Sequence, residues 1–278
     1  MRDSAQARFE ARAMTESLQD FVEVIVMWSR GQYDFEPAAA ELEFGGRDKP
    51  ETAWELDLGG GHRLALRGRI DRVDLCRTSE GGAWCVVMDY KSGGKKLDAI
   101  LVEHGVQLQL PAYLNALRHW PRTREQFGVE RLVPAGVFFV NLRGRFESSK
   151  TRDEILDLDA ARKLAYRHTG RFDADVLPKL DRTRTADQFN YRLKNDGSLH
   201  KGSVEAMPRA EFEEWLNRAE SKLEDMGRAI FKGEAKVDPY RKGSETPCDY
   251  CDFKAVCRID PWTHHYRVLR AATKESPP

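Results

Sequence analysis

Cysteine is scarce in this 278-residue chain, and its five copies are unevenly placed. An odd number in a chain of cytosolic character argues against the disulfide frameworks that staple small secreted domains. Charge of one sign is missing as well. Lys+Arg and Asp+Glu each total 45, so no global field draws the chain to a polyanion, and any nucleic-acid site must be a local concentration of Lys and Arg. No run approaches the roughly 20 apolar residues of a membrane-spanning helix. The opening residues, MRDSAQARFEARAM, are too charged for a secretory signal. No G-x-x-x-x-G-K-[ST] phosphate loop occurs, which excludes an ATP-driven motor within this sequence. Repeats and low-complexity tracts are absent too. What is present is 41% hydrophobic and 32% charged, enough for a sizeable core beneath a wet surface. The expectation is a cytoplasmic protein with no membrane partner.

The hydrophobic pattern changes period along the chain. SLQDFVEVIVMW places Leu18, Phe21, Val22, Ile25 and Val26 at helical spacing. AAELEF, WELDL, HRLALRGRIDRVDL and CVVMDYK read as strands, separated by Gly- and Pro-bearing turns. A helix is expected over 106–118, and VPAGVFFVNL reads as a strand apolar on both faces. RDEILDLDAARKLAYRH reads as another helix. A long helix then runs from Pro208 to Gly233, with Phe212, Leu216, Ala219, Leu223, Met226 and Ile230 on one stripe. This order predicts an α/β core with at least one crossover. The expected divisions, within one compact unit, are a helical lead-in (1–45), a core (46–145), a helical extension (146–235) and a cysteine-rich tail (236–278).

The stretch WCVVMDYKSGG draws attention because an apolar strand ends in Asp89 and Lys91. Alternation puts Cys85, Val87, Asp89 and Lys91 on one side of that strand. Ligands usually sit at the C-terminal ends of strands in open α/β sheets. Alone, the fragment fits either a structural Asp–Lys pair or a ligand site. Asp71, inside the strand GRIDRVD where an apolar residue is expected, favours the second. Pairing the two strands through the turn at SEGG brings Asp71 toward Asp89. Two carboxylates at a strand end suit Mg²⁺, which keeps several waters and takes one or two protein oxygens. A neighbouring lysine can orient water or meet charge developing on a phosphate, the parts of metal-assisted phosphodiester hydrolysis.

GRIDRVD, DYKSG and the Gln109–Tyr113 pair of GVQLQLPAY together resemble the PD-(D/E)XK nucleases of the RecB type. The resemblance implies a restriction-endonuclease-like core, a mixed central sheet flanked by helices. It also implies Asp71 and Asp89 as metal ligands, the backbone carbonyl of Tyr90 as a third, and Lys91 as the catalytic lysine. Gln109 and Tyr113, four apart on a helix, would pack beside the active site. The family also carries a His or Glu upstream of the first strand, and Glu16, Asp20, Glu23 and Glu41 all compete for that role.

Cys248, Cys251 and Cys257 form C-x₂-C-x₅-C, a spacing of metal ligands in intracellular chains. Zinc and iron–sulfur clusters both take four ligands, and this motif offers three. DPYRKGSETPCDYCDFKAVCR resembles the C-terminal iron–sulfur staple of AddB-type helicase–nuclease subunits, as do KNDGSLHKGS and the long helix after it. That likeness implies a [4Fe–4S] cluster, yet its usual fourth cysteine, upstream of the core, is not found here. It further implies a Mg²⁺- or Mn²⁺-dependent, exonuclease-type DNA nuclease with a helicase–nuclease partner subunit, acting on single-stranded DNA or duplex ends in double-strand break repair. Two alternatives are a Cas4-like nuclease and a non-catalytic DNA-binding scaffold.

Basic residues supply a candidate DNA path. Arg143 and Arg145 follow a core strand, and Arg182, Arg184, Arg192, Lys194 and Lys201 surround Phe189 and Tyr191. Cations can bind phosphates while aromatics stack on bases, but a solvated loop has the same composition. His104 is expected to face water.

Overall fold

The computed structural model describes residues 4–144, 158–260 and 263–271. A first helix, α1 (Ala5–Gln32), is opened by Ser4, whose hydroxyl accepts the Ala7 N–H at 3.1 Å. Strands β1 (Glu36–Phe44), β2 (Trp54–Gly59), β3 (His62–Leu66), β4 (Gly68–Arg77) and β5 (Ala83–Lys91) follow. Two short helices, α2 (Ala99–Glu103) and α4 (Thr123–Phe127), flank α3 (Gln109–Arg118) before β6 (Leu132–Asn141). Beyond these come α5 (Leu158–Ala165), β7 (Thr169–Asp173), α6 (Leu177–Leu180), β8 (Ala206–Met207) and the long α7 (Arg209–Phe231).

Six strands form one mixed sheet in the order β1-β4-β5-β6-β7-β8. β4 runs antiparallel to both β1 and β5, and β6 antiparallel to β7; β5/β6 and β7/β8 are parallel. The expected crossover is β5–α3–β6. Both faces of the sheet are covered. One core lies under α3 and α7 and holds Val87, Leu114, Phe139 and Leu216. The other lies under α1 and α5 and holds Trp28, Val86, Met88 and Phe138. This explains why β5 and β6 read as unbroken apolar runs. Gly170 lets β7 close on β6, because a Cβ there would sit 1.8 Å from the Val137 carbonyl oxygen.

The structure refines three expectations. HRLALRGRIDRVDL is two strands, divided at Arg67. Among the described residues β3 pairs only with β2, in a separate hairpin whose Leu58 and Leu64 lie against Gly227 of α7. The helix expected over 106–118 begins at Gln109, and α2, capped by the Asp98 carboxylate, precedes it. Of the helix read from Arg152 to His168, α5 is the described part; residues 152–157 lie outside the described residues. Among the described residues no helix is long and apolar enough to cross a membrane.

Candidate functional site

The site forms where β4 and β5 part. Their antiparallel ladder runs from Arg77–Ala83 to Arg72–Met88 and then stops. Just beyond, the Tyr90 N–H donates to Asp71 Oδ2 at 2.9 Å, a side chain replacing a backbone partner. β5 itself continues beside β6 as far as Lys91–Asn141. Asp71 and Asp89 therefore occupy the next register positions of two strands that have begun to separate.

Asp89 is only 1% exposed. Gln109, the first residue of α3, donates from Nε2 to Asp89 Oδ1 at 2.8 Å, and the same nitrogen lies 3.3 Å from the Tyr113 hydroxyl. Tyr113 is held edge-on against Phe44. Asp89 Oδ2 makes an ion pair with the Lys91 ammonium. Lys91 Nζ also lies 5.7 Å from the Phe139 ring centroid. Asp89, Lys91, Gln109 and Tyr113 are thus brought into one cluster, with Asp71 alongside. Burial pushes the Asp89 carboxyl above the usual carboxylate range; Lys91 opposes the shift, and the Asp71 charge adds to it. A buried acid whose carboxyl is pushed up by burial, beside a second acid, is a donor set that gains from a cation. The pair fits a hard divalent ion that retains waters.

Behind this cluster, on the α1 face, Arg72 makes a bidentate pair with Asp74 at 2.7 and 2.8 Å and donates to the Tyr90 hydroxyl at 3.3 Å. Asp74 is wholly buried. The pair braces the strand from the side opposite Asp89.

Two neighbours escaped the sequence reading. Lys95 Nζ sits 4.9 Å from the Phe139 ring centroid, and its charge favours the ionised form of Asp89. Asn141 is 1% exposed, pairs in register with Lys91, and accepts the Lys95 N–H at 2.9 Å. The signal for Asn141 was available: it is a polar residue ending an apolar strand, as Asp89 is.

The upstream acids are engaged elsewhere. Asp20 accepts the Tyr166 hydroxyl at 2.7 Å and pairs with Arg162, and Glu23 pairs with Arg162 at 2.6 Å. Glu16 pairs with Arg12, and Glu41, whose φ is 51°, pairs with Arg69.

The candidate DNA path needs correction. Phe189 and Tyr191 are 0% and 4% exposed and belong to the core under α1, so neither can stack on a base. Their segment is organised around Asp181, which accepts the Tyr191 hydroxyl at 2.7 Å and the N–H groups of Arg184 and Ala186 at 2.8 Å. Arg182 pairs with Asp34. Arg143, Arg184, Arg192, Lys194 and Lys201 are exposed; Arg145 lies outside the described residues. His104 does not merely face water: its Nε2 lies 2.9 Å from the Arg270 carbonyl oxygen, tying the tail to α2.

The cysteines divide as their surroundings dictate. Cys76 and Cys85 are buried in β4 and β5, and burial pushes both thiols up. Cys248, Cys251 and Cys257 line one cavity of about 550 Å³. Among the described residues, however, no three His, Cys, Asp or Glu side chains converge to hold a metal ion. The two short turns of this tail, Pro247–Tyr250 and Lys254–Cys257, bury no side chain.

Comparison with known proteins bears on the whole chain. A model described as the PD-(D/E)XK nuclease superfamily matches residues 2–258. The chain is 35% identical over 264 residues to an ATP-dependent helicase/deoxyribonuclease subunit of Moorella thermoacetica, covering 93% of this chain and 22% of that protein. Subunits of the same name from Symbiobacterium thermophilum and Bacillus subtilis are each 32% identical, over 99% and 85% of this chain and 23% and 20% of theirs. The chain thus spans less than a quarter of the length of these relatives. The mixed sheet with helices on both faces is consistent with the restriction-endonuclease-like fold of that superfamily, and the chain belongs to the PD-(D/E)XK nuclease superfamily.

Proposed function

We propose that this chain is a divalent-metal-dependent nuclease domain that hydrolyses phosphodiester bonds in single-stranded DNA. The observation that carries the reading is the buried Asp89, clamped by Gln109 and facing Lys91, beside Asp71 at the parting of β4 and β5. Asp71 and Asp89 would hold Mg²⁺ or Mn²⁺, with the Tyr90 carbonyl as a further oxygen. When bound, the ion supplies charge neutralisation at the phosphate and a more acidic water. Gln109 holds the Asp89 carboxylate in one orientation. Lys91, braced over Phe139, orients the attacking water and faces the charge that develops on the phosphate.

The relatives are named as subunits of an ATP-dependent helicase/deoxyribonuclease, which supports a helicase–nuclease assembly with a partner subunit; the motif resemblance extends the reading to a cytoplasmic role in recombinational repair of double-strand breaks. Cys248, Cys251 and Cys257 belong to the same reading as three ligands of a [4Fe–4S] cluster completed by a fourth group, and the cavity they share supports it. About four irons per purified chain is the expected result. Labelled single-stranded DNA should be degraded with Mg²⁺ and left intact with EDTA. If Asp89→Ala protein degrades it as fast as the parent, the site assignment fails.

A further inference from the structure

A cavity of about 730 Å³ lies between α2, β7 and α7, on the same face of the sheet as Asp89. The register establishes the face. Asp89, Phe139 and Thr169 form one row across β5, β6 and β7, and Val87, Val137 and Arg171 form another two residues along. Arg171 therefore projects from the Asp89 face, on the order of 12 Å from it by strand and residue spacing.

Arg171 lines this cavity in an unusual state. It is half-buried, and its one side-chain hydrogen bond among the described residues goes from Nη1 to the Gly170 carbonyl at 2.8 Å. No ion pair to it exists among the described residues. Two acids act on it from beyond ion-pair distance: Glu205, which accepts from Gly170 N–H and Asn190, and Asp98, which accepts from Leu101 N–H and pairs with Lys242. Burial lowers the proton affinity of Arg171, but a guanidinium stays charged in proteins. Leaving such a half-buried charge without an ion pair is unfavourable, and a planar fork with spare donors suits a phosphate. Lys222 of α7 lines the same cavity, also without an ion pair among the described residues. Arg218 is paired with Glu214 and Asp225 with Arg228, so two unpaired cations face one unpaired acid, Glu103.

We propose that this cavity is an anion subsite in which Arg171 and Lys222 hold a phosphate of the nucleic-acid strand that continues to Asp89 and Lys91. The proposal rests on the nuclease reading above. The test measures binding of a fluorescent oligothymidylate by anisotropy in EDTA, where nothing is cleaved. Arg171→Met and Lys222→Gln should each weaken binding, the first by about tenfold. Each should also flatten the dependence of log affinity on log salt by about 0.7, the loss of one single-strand phosphate contact. Arg171→Met should melt no lower than the parent, because it removes a half-buried charge that has no ion pair, whereas a purely structural arginine would lower the melting temperature. Unchanged affinity and slope in a parent that binds and cleaves DNA overturn the subsite and leave the nuclease reading intact. A parent that binds no DNA overturns both. Inorganic phosphate that raises the melting temperature of the parent, with DNA affinity unchanged in Arg171→Met, assigns the cavity to a free anion and overturns the proposal.

Discussion

The tip of β5 and the cysteine tail carry motifs of similar length, and the fold treats them differently. At β5, Val86 and Val87 are wholly buried on opposite faces, so Asp89 and Lys91 extend from a strand with nowhere to move. α3 then brings Gln109 to Asp89 with its own buried side, Leu110, Leu114 and Leu117, beneath. In the tail, the turns Pro247–Tyr250 and Lys254–Cys257 bury nothing, while Tyr250, Phe253 and Val256 are 94%, 66% and 79% exposed. A motif on an element packed from both sides arrives pre-organised. A motif on turns must take its geometry from whatever it binds.

This contrast can be broken or sharpened by experiment. The largest effect is expected at Asp89, where Asp89→Ala should lower the rate of DNA hydrolysis about a thousandfold, as charge stabilisation of several kcal/mol is lost. Gel-resolved degradation of end-labelled DNA measures it. Next, Leu114→Ala should cost about 2–5 kcal/mol in urea unfolding, because it empties the core under the site. Val256→Ala in the tail should stay within about 0.5 kcal/mol. Equal costs at the two positions would erase the distinction.

A third expectation concerns pH. His168 is 1% exposed, and burial lowers it to about 4, with Arg72 adding to the shift against the opposing Tyr166 carbonyl. A histidine ordinarily titrates near 6.5, so as pH falls the unfolded chain takes up this proton first. The stabilisation is complete above about 6.5 and is lost progressively toward about 4, amounting to on the order of 3 kcal/mol. Urea midpoints at successive pH values should show this limb, and His168→Gln should remove it. The smallest effect is expected at Gln109. Gln109→Ala removes one hydrogen bond to a carboxylate, and should slow hydrolysis about tenfold with little change in stability.

Much of this site was legible in the sequence because its signals are local. Alternation along CVVMDYK places Asp89 and Lys91 on the side of Cys85 and Val87, and the core clusters agree. The four-residue interval of Gln109 and Tyr113 puts both on one face of a helix, and their side chains meet. Phe189 and Tyr191 misled for the same reason. Nothing near them in sequence announces that the segment folds inward around Asp181 and under α1. Arg171 was invisible until β7 was placed beside β6 and β5, whereas Asn141 stood open to reading as the polar end of an apolar strand.

The sequence by itself determined which residues alternate, which helices carry an apolar stripe, and the order in which Asp71, Asp89, Lys91, Gln109 and Tyr113 are met. Those properties follow from periods of two and 3.6 residues, which act over a few neighbours. Tertiary structure alone decided where β4 and β5 part, which aromatics are buried, and that an unpaired Arg171 shares a face with Asp89. It also placed three cysteines, close in sequence, around one cavity. Such outcomes depend on pairings between distant segments, and only packing of the whole core selects among them.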